Sequence, residues 1–162
     1  MIIVLAGVTA VHHTMVTAHL YLNGTNEVDF SRIKGYGDMS LDAKGTPILI
    51  GTDEKGNSVY TLGVGGNIEV GYRAMTEFLQ IMSVPVDVIL VYPVRLPVET
   101  IIWLITKVNC IPWGVGSALN LAITKLLLNR YVGLIQSAAE DLRLQVKNQL
   151  ASDKSPIIAG DA

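Results

Sequence analysis

The stretch Ala6–Thr14, AGVTAVHHT, holds the residues whose types and spacing could do chemistry. It follows an apolar run and precedes a helical pattern, and a loop in that position offers backbone N–H groups and a positive helix end to an anion. Gly7 and Thr14 fit the frame of the nucleotide-binding P-loop, with His12 and His13 in place of the second glycine and the lysine. The pattern predicts a degenerate P-loop-like site for a small anionic or phosphate-containing ligand. Its predicted ligand-binding residues are Gly7, Thr9, His12, His13 and Thr14.

His13 is the candidate catalytic residue of this stretch. Imidazole titrates near neutral pH, so His13 could act as a general acid or base, or bind the anion itself. The sequence assigns no reaction, no substrate and no cofactor. The alternative is a plain connection, in which Thr9 or Thr14 satisfies the free N–H groups at the start of a helix.

The three histidines do not have the spacing of a metal site. On a helix, His12 and His19 would lie about two turns apart and His13 would point elsewhere. The segment adds no carboxylate, so we predict no metal site there. Cys110 is the single cysteine. It cannot form an internal disulfide or a thiolate cluster, which favours a reducing, cytoplasmic location.

Composition limits the partners. The 162 residues carry a formal net charge of -2, and no basic field is present to bind nucleic acid. No apolar run reaches the roughly 18 residues of a membrane-spanning helix. We therefore expect neither nucleic acid nor membrane as a partner. The length predicts one domain over residues 1–150, followed by a flexible tail over 151–162.

Strands and helices are predicted to alternate along the chain. Residues 25–46 are too polar for a regular element and predict a long loop with at most one helical turn. The predicted elements are a strand at Met1–Ala6, a helix at Thr14–Leu22, a hairpin of Ile48–Gly51 and Ser58–Leu62, a helix capped by Asn67, a strand at Val86–Tyr92 and a helix at Val98–Val108.

The region from Leu119 to Leu150 allows two interpretations. It could form one long helix, but Asn120, Thr124 and Gly133 weaken that pattern. We favour a short strand at Leu119–Thr124 followed by a helix to about Leu150.

The predicted fold class is a three-layer α/β domain. It has a mostly parallel sheet of about five strands with one antiparallel hairpin, and helices on both faces. Ligands bind beyond the carboxyl ends of the strands in such sheets. That edge would bring Arg95, Thr124 and Lys125 close to Gly7–Thr14, and we include Arg95 among the ligand-binding residues.

Two segments carry a resemblance to a known family. They are His13–Ala18 (HTMVTA) and Gly51–Gly63 (GTDEKGNSVYTLG). Over roughly residues 1–135 the chain resembles an uncharacterised family of spore-forming Gram-positive bacteria, the domain of unknown function 3189. The resemblance implies an α/β fold and a bacterial origin, and it brings no activity. Members commonly carry a glycine pair before the histidine, where this chain has Ala10, Val11 and His12.

Two functions remain open at this stage. The first is binding of a small anionic ligand at Gly7–Thr14, under the loop of residues 25–46. The second is a non-catalytic interaction or oligomerisation protein with no small-molecule site, in which apolar helices supply the surface for a homo-oligomer or for another partner. The apolar positions of the last helix, such as Leu134 and Leu142, favour some association.

Overall fold

The computed structural model describes residues 1–24, 28–85, 87–107 and 115–152. In chain order the elements are β1 (Ile2–Gly7), α1 (His13–Asn23), a 3-10 turn (Phe30–Arg32), α2 (Met39–Asp42), β2 (Ile48–Thr52), β3 (Ser58–Gly63), α3 (Ile68–Ile81), β4 (Ile89–Pro93), α4 (Glu99–Lys107), α5 (Val115–Arg130) and α6 (Val132–Ser152).

One mixed sheet organises the described residues. Its strand order is β2-β3-β1-β4. β1 pairs in parallel with β3 and β4, so that Ile2 lies opposite Ser58 on one side and Ile89 on the other. β2 and β3 form an antiparallel hairpin, whose turn contains Gly56 at φ 81°. The α/β class and the hairpin are thus confirmed, but the sheet has four described strands rather than about five.

The predicted strand at Leu119–Thr124 is wrong, because these residues lie within α5. Asn120, Thr124 and Leu128 are buried at intervals of one helical turn. The hydroxyl of Thr124 donates to Oδ1 of Asn120 at 3.0 Å. The two polar residues therefore face inward on a helix, and the carboxyl edge of the sheet does not include Thr124 and Lys125 as strand ends.

Other boundaries shift by a few residues. β4 begins at Ile89, because the amides of Val88 and Ile89 bond the carbonyl of Pro85 in a turn. The long loop contains the 3-10 turn and the single turn of α2. The helix expected to end at Val108 is described as far as Lys107. Cys110 and residues 153–162 of the expected tail lie outside the described residues, while α6 continues to Ser152.

Helix α1 lies at the centre of the packing. It contacts β1, β2 and β3, and it packs along α6. The apolar face of α6 covers it through Ile135, Leu142 and Val146, which are all buried. Helices on both faces of the sheet stay a prediction, favoured by the right-handed connection of parallel strands. Within the described parts of the chain, no helix is both long and apolar enough to cross a membrane.

Candidate functional site

The loop after β1 is placed at the carboxyl edge by its neighbouring strands. Val94 donates its amide to the carbonyl of Ala6 at 2.8 Å, and Val64 does the same to the carbonyl of Gly7. Parallel strands end together at this edge. The loop therefore leaves the sheet between the ends of β3 and β4, as predicted for a ligand site of this fold.

Gly7 is required by close packing rather than by its backbone angles. A Cβ atom on Gly7 would lie 2.4 Å from Cγ2 of Thr14 and 2.5 Å from Nε2 of His13. Two of the predicted site residues therefore pack directly on the backbone of a third. The structure brings Gly7, His13 and Thr14 together.

Threonine hydroxyls hold the turn into α1. Thr14 donates to the carbonyl of Thr9 at 2.5 Å, and Thr17 donates to the carbonyl of His13 at 2.8 Å. Oγ1 of Thr9 and Nδ1 of His12 lie 2.9 Å apart. His12 precedes the helix, but its side chain makes no capping hydrogen bond among the described residues. The capping role expected of Thr9 or Thr14 is thus replaced by contacts within the loop.

Every residue from Val8 to Thr14 is buried. Val8, Ala10 and Val11 belong to a hydrophobic core cluster with Phe30 and Ile33 of the following segment. The amide of Gly37 bonds the carbonyl of Val11 at 2.9 Å. Residues 28–46, here called the covering segment, therefore close the loop from solvent.

A carboxylate of the covering segment reaches into this loop. Oδ1 of Asp42 accepts the amide of Ala10 at 2.6 Å. It also occupies the space beside Gly63, where a Cβ atom would lie 2.5 Å from the same oxygen. Burial raises the pKa of Asp42, and the Ala10 hydrogen bond opposes that rise. A carboxyl oxygen of Asp42 thus lies against a backbone N–H of the predicted anion loop.

The two adjacent histidines are buried as neutral rings. Burial lowers the pKa of His12 to about 4. Burial and the neighbouring His12 lower the pKa of His13 to about 3, and the Val94 backbone opposes this weakly. Nε2 of His12 has no hydrogen-bond partner among the described residues, and the ring nitrogens of His13 have none there beyond a weak contact with the Val94 backbone. Buried nitrogens of this kind normally have a partner, so the site has unused hydrogen-bonding capacity.

Tyr36 extends the site on the side of the covering segment. Its ring meets the ring of His12 edge to face, with centroids 5.9 Å apart. Its hydroxyl is buried without a partner in the described chain, and burial raises its pKa. Neither Tyr36 nor Asp42 was predicted as a site residue, because nothing near them in the sequence distinguishes them from the other residues of the loop.

Arg95 lies at the same edge but binds elsewhere. Its guanidinium contacts the carboxylate of Glu69 at 2.5 Å, and both side chains are exposed. Arg95 thus pairs with a carboxylate in the structure, and its role in ligand binding stays a prediction. No group of three His, Cys, Asp or Glu side chains among the described residues is arranged to hold a metal ion.

The opposite end of α1 contains a cluster that sequence reasoning missed. Asp53 lies in the turn of the predicted hairpin, where a charged side chain is normally solvated, yet its Oδ2 accepts the Tyr21 hydroxyl at 2.6 Å. Burial alone would raise the pKa of Asp53, but hydrogen bonds from Tyr21 and Asn57 lower it overall. Arg143 of α6 donates to the carbonyls of Leu20 and Tyr21. A cleft of about 330 Å³ lies beside these residues, away from the loop after β1.

A family model described as a protein of unknown function, DUF3189, matches residues 2–136. The chain belongs to the DUF3189 family. The DUF3189 match includes all four described strands and the whole loop after β1, and it ends near the start of α6. No curated protein and no solved structure matched the chain.

Proposed function

We propose that this DUF3189 protein binds a small oxyanion, such as a phosphate group of a larger ligand, at the loop Gly7–Thr14. The main support for the proposal is the hydrogen bond that the Asp42 carboxylate accepts from the amide of Ala10, at 2.6 Å. A carboxylate and a phosphate present the same kind of acceptor to a backbone N–H, and Ala10 lies in the loop that leads into the N-terminus of α1. In this proposal the Asp42 carboxylate occupies, in the unliganded protein, the position that the bound anion would take.

The unpartnered nitrogens of His12 and His13 support the same proposal. A ligand that reaches the loop would give these nitrogens the hydrogen-bond partners they lack. An anion beside a neutral imidazole favours its protonated form, so binding would take up protons. We therefore expect affinity to increase as the pH falls from 7 towards 6.

Binding in this way requires the covering segment to move. Asp42 and the Gly37–Val11 hydrogen bond both fasten the segment over the loop. A ligand must therefore displace the Asp42 carboxylate and part of this segment, which reduces the apparent affinity of the wild-type protein. Removing the carboxylate would relieve that competition.

The experiment is a thermal-shift and calorimetry panel with inorganic phosphate, nucleotides and sugar phosphates, on the wild type and Asp42→Ala. Asp38→Ala is the matched control, because Asp38 lies on the same segment but only bonds Ser40. A ligand at about 100 times its Kd adds roughly 2.7 kcal/mol. For a chain of this size that corresponds to a shift of several degrees, at about 2–4 °C per kcal/mol.

We expect Asp42→Ala to bind an oxyanion more tightly than both the wild type and Asp38→Ala. His13→Asn, which keeps a polar side chain at the loop, should weaken that binding. If no compound of the panel shifts either the wild type or Asp42→Ala, the proposal is wrong and Asp42 is a structural contact.

A further inference from the structure

Helix α3 has a strongly apolar outer surface. All of its residues are described, and of these only Ile68 is buried. Val70 is 62% exposed, Phe78 61% and Ile81 79%, and Met82 just after the helix is 59% exposed. Large side chains at this level of exposure on one helix mark an interaction surface rather than scattered surface residues.

The exposed residues have the spacing of a single stripe. Val70, Ala74, Glu77 and Ile81 follow one another at intervals of four, three and four residues, which places them on one face of a helix. Phe78 lies beside this stripe on one flank, and Arg73 lies on the other. A shallow groove of about 340 Å³ runs along the residues from Asn67 to Glu77.

The charges of the stripe are complementary to themselves in one orientation. If two copies of α3 pack antiparallel about a two-fold axis near its middle, Val70 of one copy lies opposite Ile81 of the other. Arg73 then lies opposite Glu77 of the second copy, and the symmetry repeats this pair. Within the described residues neither Arg73 nor Glu77 forms an ion pair. Phe78 of each copy lies at the level of the small Ala74, where the groove can receive it.

We propose that α3 is the contact surface of a homodimer, in which two copies pack antiparallel and form two symmetric Arg73–Glu77 pairs. This pairing is isologous, with the same patch used on both copies, as in most soluble dimers. The exposed apolar side chains Val70, Phe78 and Ile81 supply the association energy, and the charge pairs select the antiparallel orientation. The dimer is independent of the anion site, because α3 contributes no residue to the loop after β1.

The test uses the whole chain and charge reversal. Arg73→Glu places two carboxylates opposite each other in both pairs, and Glu77→Arg places two cations there. Each single variant should raise the dimer Kd by about tenfold or more, measured by sedimentation equilibrium. The double variant, Arg73→Glu with Glu77→Arg, should restore the wild-type Kd, because the opposite charges again face each other.

Mixing the two single variants gives a second readout. Arg73→Glu and Glu77→Arg should form a heterodimer, since every facing pair in the mixture is of opposite charge. Glu140→Arg on the exposed side of α6 is the control for a charge change elsewhere, and it should leave the Kd unchanged. All these positions are exposed in the single chain, so at concentrations below the dimer Kd the variants should keep the wild-type unfolding temperature.

Three results would overturn the proposal. One is a wild type that remains monomeric at about 100 μM, a concentration at which specific dimers form. Another is a dimer whose Kd is the same in both single variants, because association would then use a different face. A mixture of the single variants that forms no heterodimer would exclude the antiparallel arrangement.

Discussion

Helices α1 and α3 each follow a strand of the parallel part of the sheet, but the chain covers them very differently. Eight of the eleven α1 residues are buried, and they include the polar side chains of His13, Thr14 and Thr17. Among the fourteen residues of α3, Ile68 alone is buried, while Phe78 and Ile81 are exposed. Polar groups are thus enclosed at α1, and apolar groups are open to solvent at α3.

The cause of the difference is what lies over each helix. The covering segment and α6 pack on α1 and close it from solvent, at the cost of leaving imidazole nitrogens without partners. None of the described elements covers the outer face of α3. The buried polar groups of α1 therefore point to a small ligand that enters the fold, and the exposed apolar groups of α3 point to a protein surface. Three changes to the molecule test this contrast.

Lowering the pH should have the largest effect, and it should act through α1. The usual histidine pKa of 6.5 falls to about 4 for His12 and about 3 for His13 in the folded protein. Above pH 6.5 both histidines are neutral in the folded and in the unfolded chain. Below it the unfolded chain takes up protons that the folded chain does not, which costs about 1.4 kcal/mol per pH unit for each histidine. We expect the two histidines together to lower the free energy of unfolding by about 4 kcal/mol between pH 7 and pH 5, measured by urea unfolding.

The variant His13→Asn should remove about half of that pH dependence, whatever its effect on stability at pH 7. The control is His19→Asn, because His19 lies on the same helix and is only half-buried. Equal slopes in the wild type and His13→Asn would mean that His13 titrates normally, and that the start of α1 is open to water as α3 is.

Adding one methyl group at Gly7 should have the next largest effect. The new Cβ would meet Thr14 and His13 at less than 3 Å, in a region that is closely packed. We expect Gly7→Ala to lower the free energy of unfolding by about 2 kcal/mol or more. Gly133→Ala in α6 is the control, since none of the described atoms lies within 4 Å of its added Cβ. That control should raise the free energy of unfolding by about 0.5–1 kcal/mol. If Gly7→Ala were equally well tolerated, the loop after β1 would be able to rearrange around the added methyl group.

Removing the cap of α3 should have the smallest effect. Oδ1 of Asn67 accepts the amide of Val70 at 3.1 Å. Asn67→Ala should cost about 1 kcal/mol in thermal or urea unfolding, and Asn67→Asp, which keeps the acceptor, should cost little. Because this hydrogen bond lies within one chain, the cost of Asn67→Ala should not depend on protein concentration. An Asp variant as unstable as the Ala variant would contradict the capping role.

Local patterns were sufficient to predict most of the elements. Gly24 in the left-handed conformation ends α1, Asn67 begins α3 and Gly56 turns the hairpin, as the residue types indicated. These features depend on neighbours in the chain, and a single sequence contains them. The loop after β1 was likewise located correctly between a strand and a helix.

The errors came from burial and from contacts between distant residues. Asn120 and Thr124 reduce helix propensity, and that led to a predicted strand, but in the structure both are buried and lie one helical turn apart. Asp42 and Ala10 meet across 32 positions of the chain. Propensity and spacing do not contain such contacts, so neither the carboxylate in the loop nor the role of Asp53 could be predicted.

The position of β1 has a consequence for biosynthesis. Of the four described strands it is synthesised first, yet it lies between β3 and β4, which pair with both of its edges. Both edges of β1 are therefore paired only after β3 and β4 have left the ribosome. In contrast, β2 and β3 are adjacent in the chain and can pair locally as a hairpin. We expect nascent chains that end before β4 to depend on chaperones, because the free edge of β1 is open to aggregation until that strand arrives.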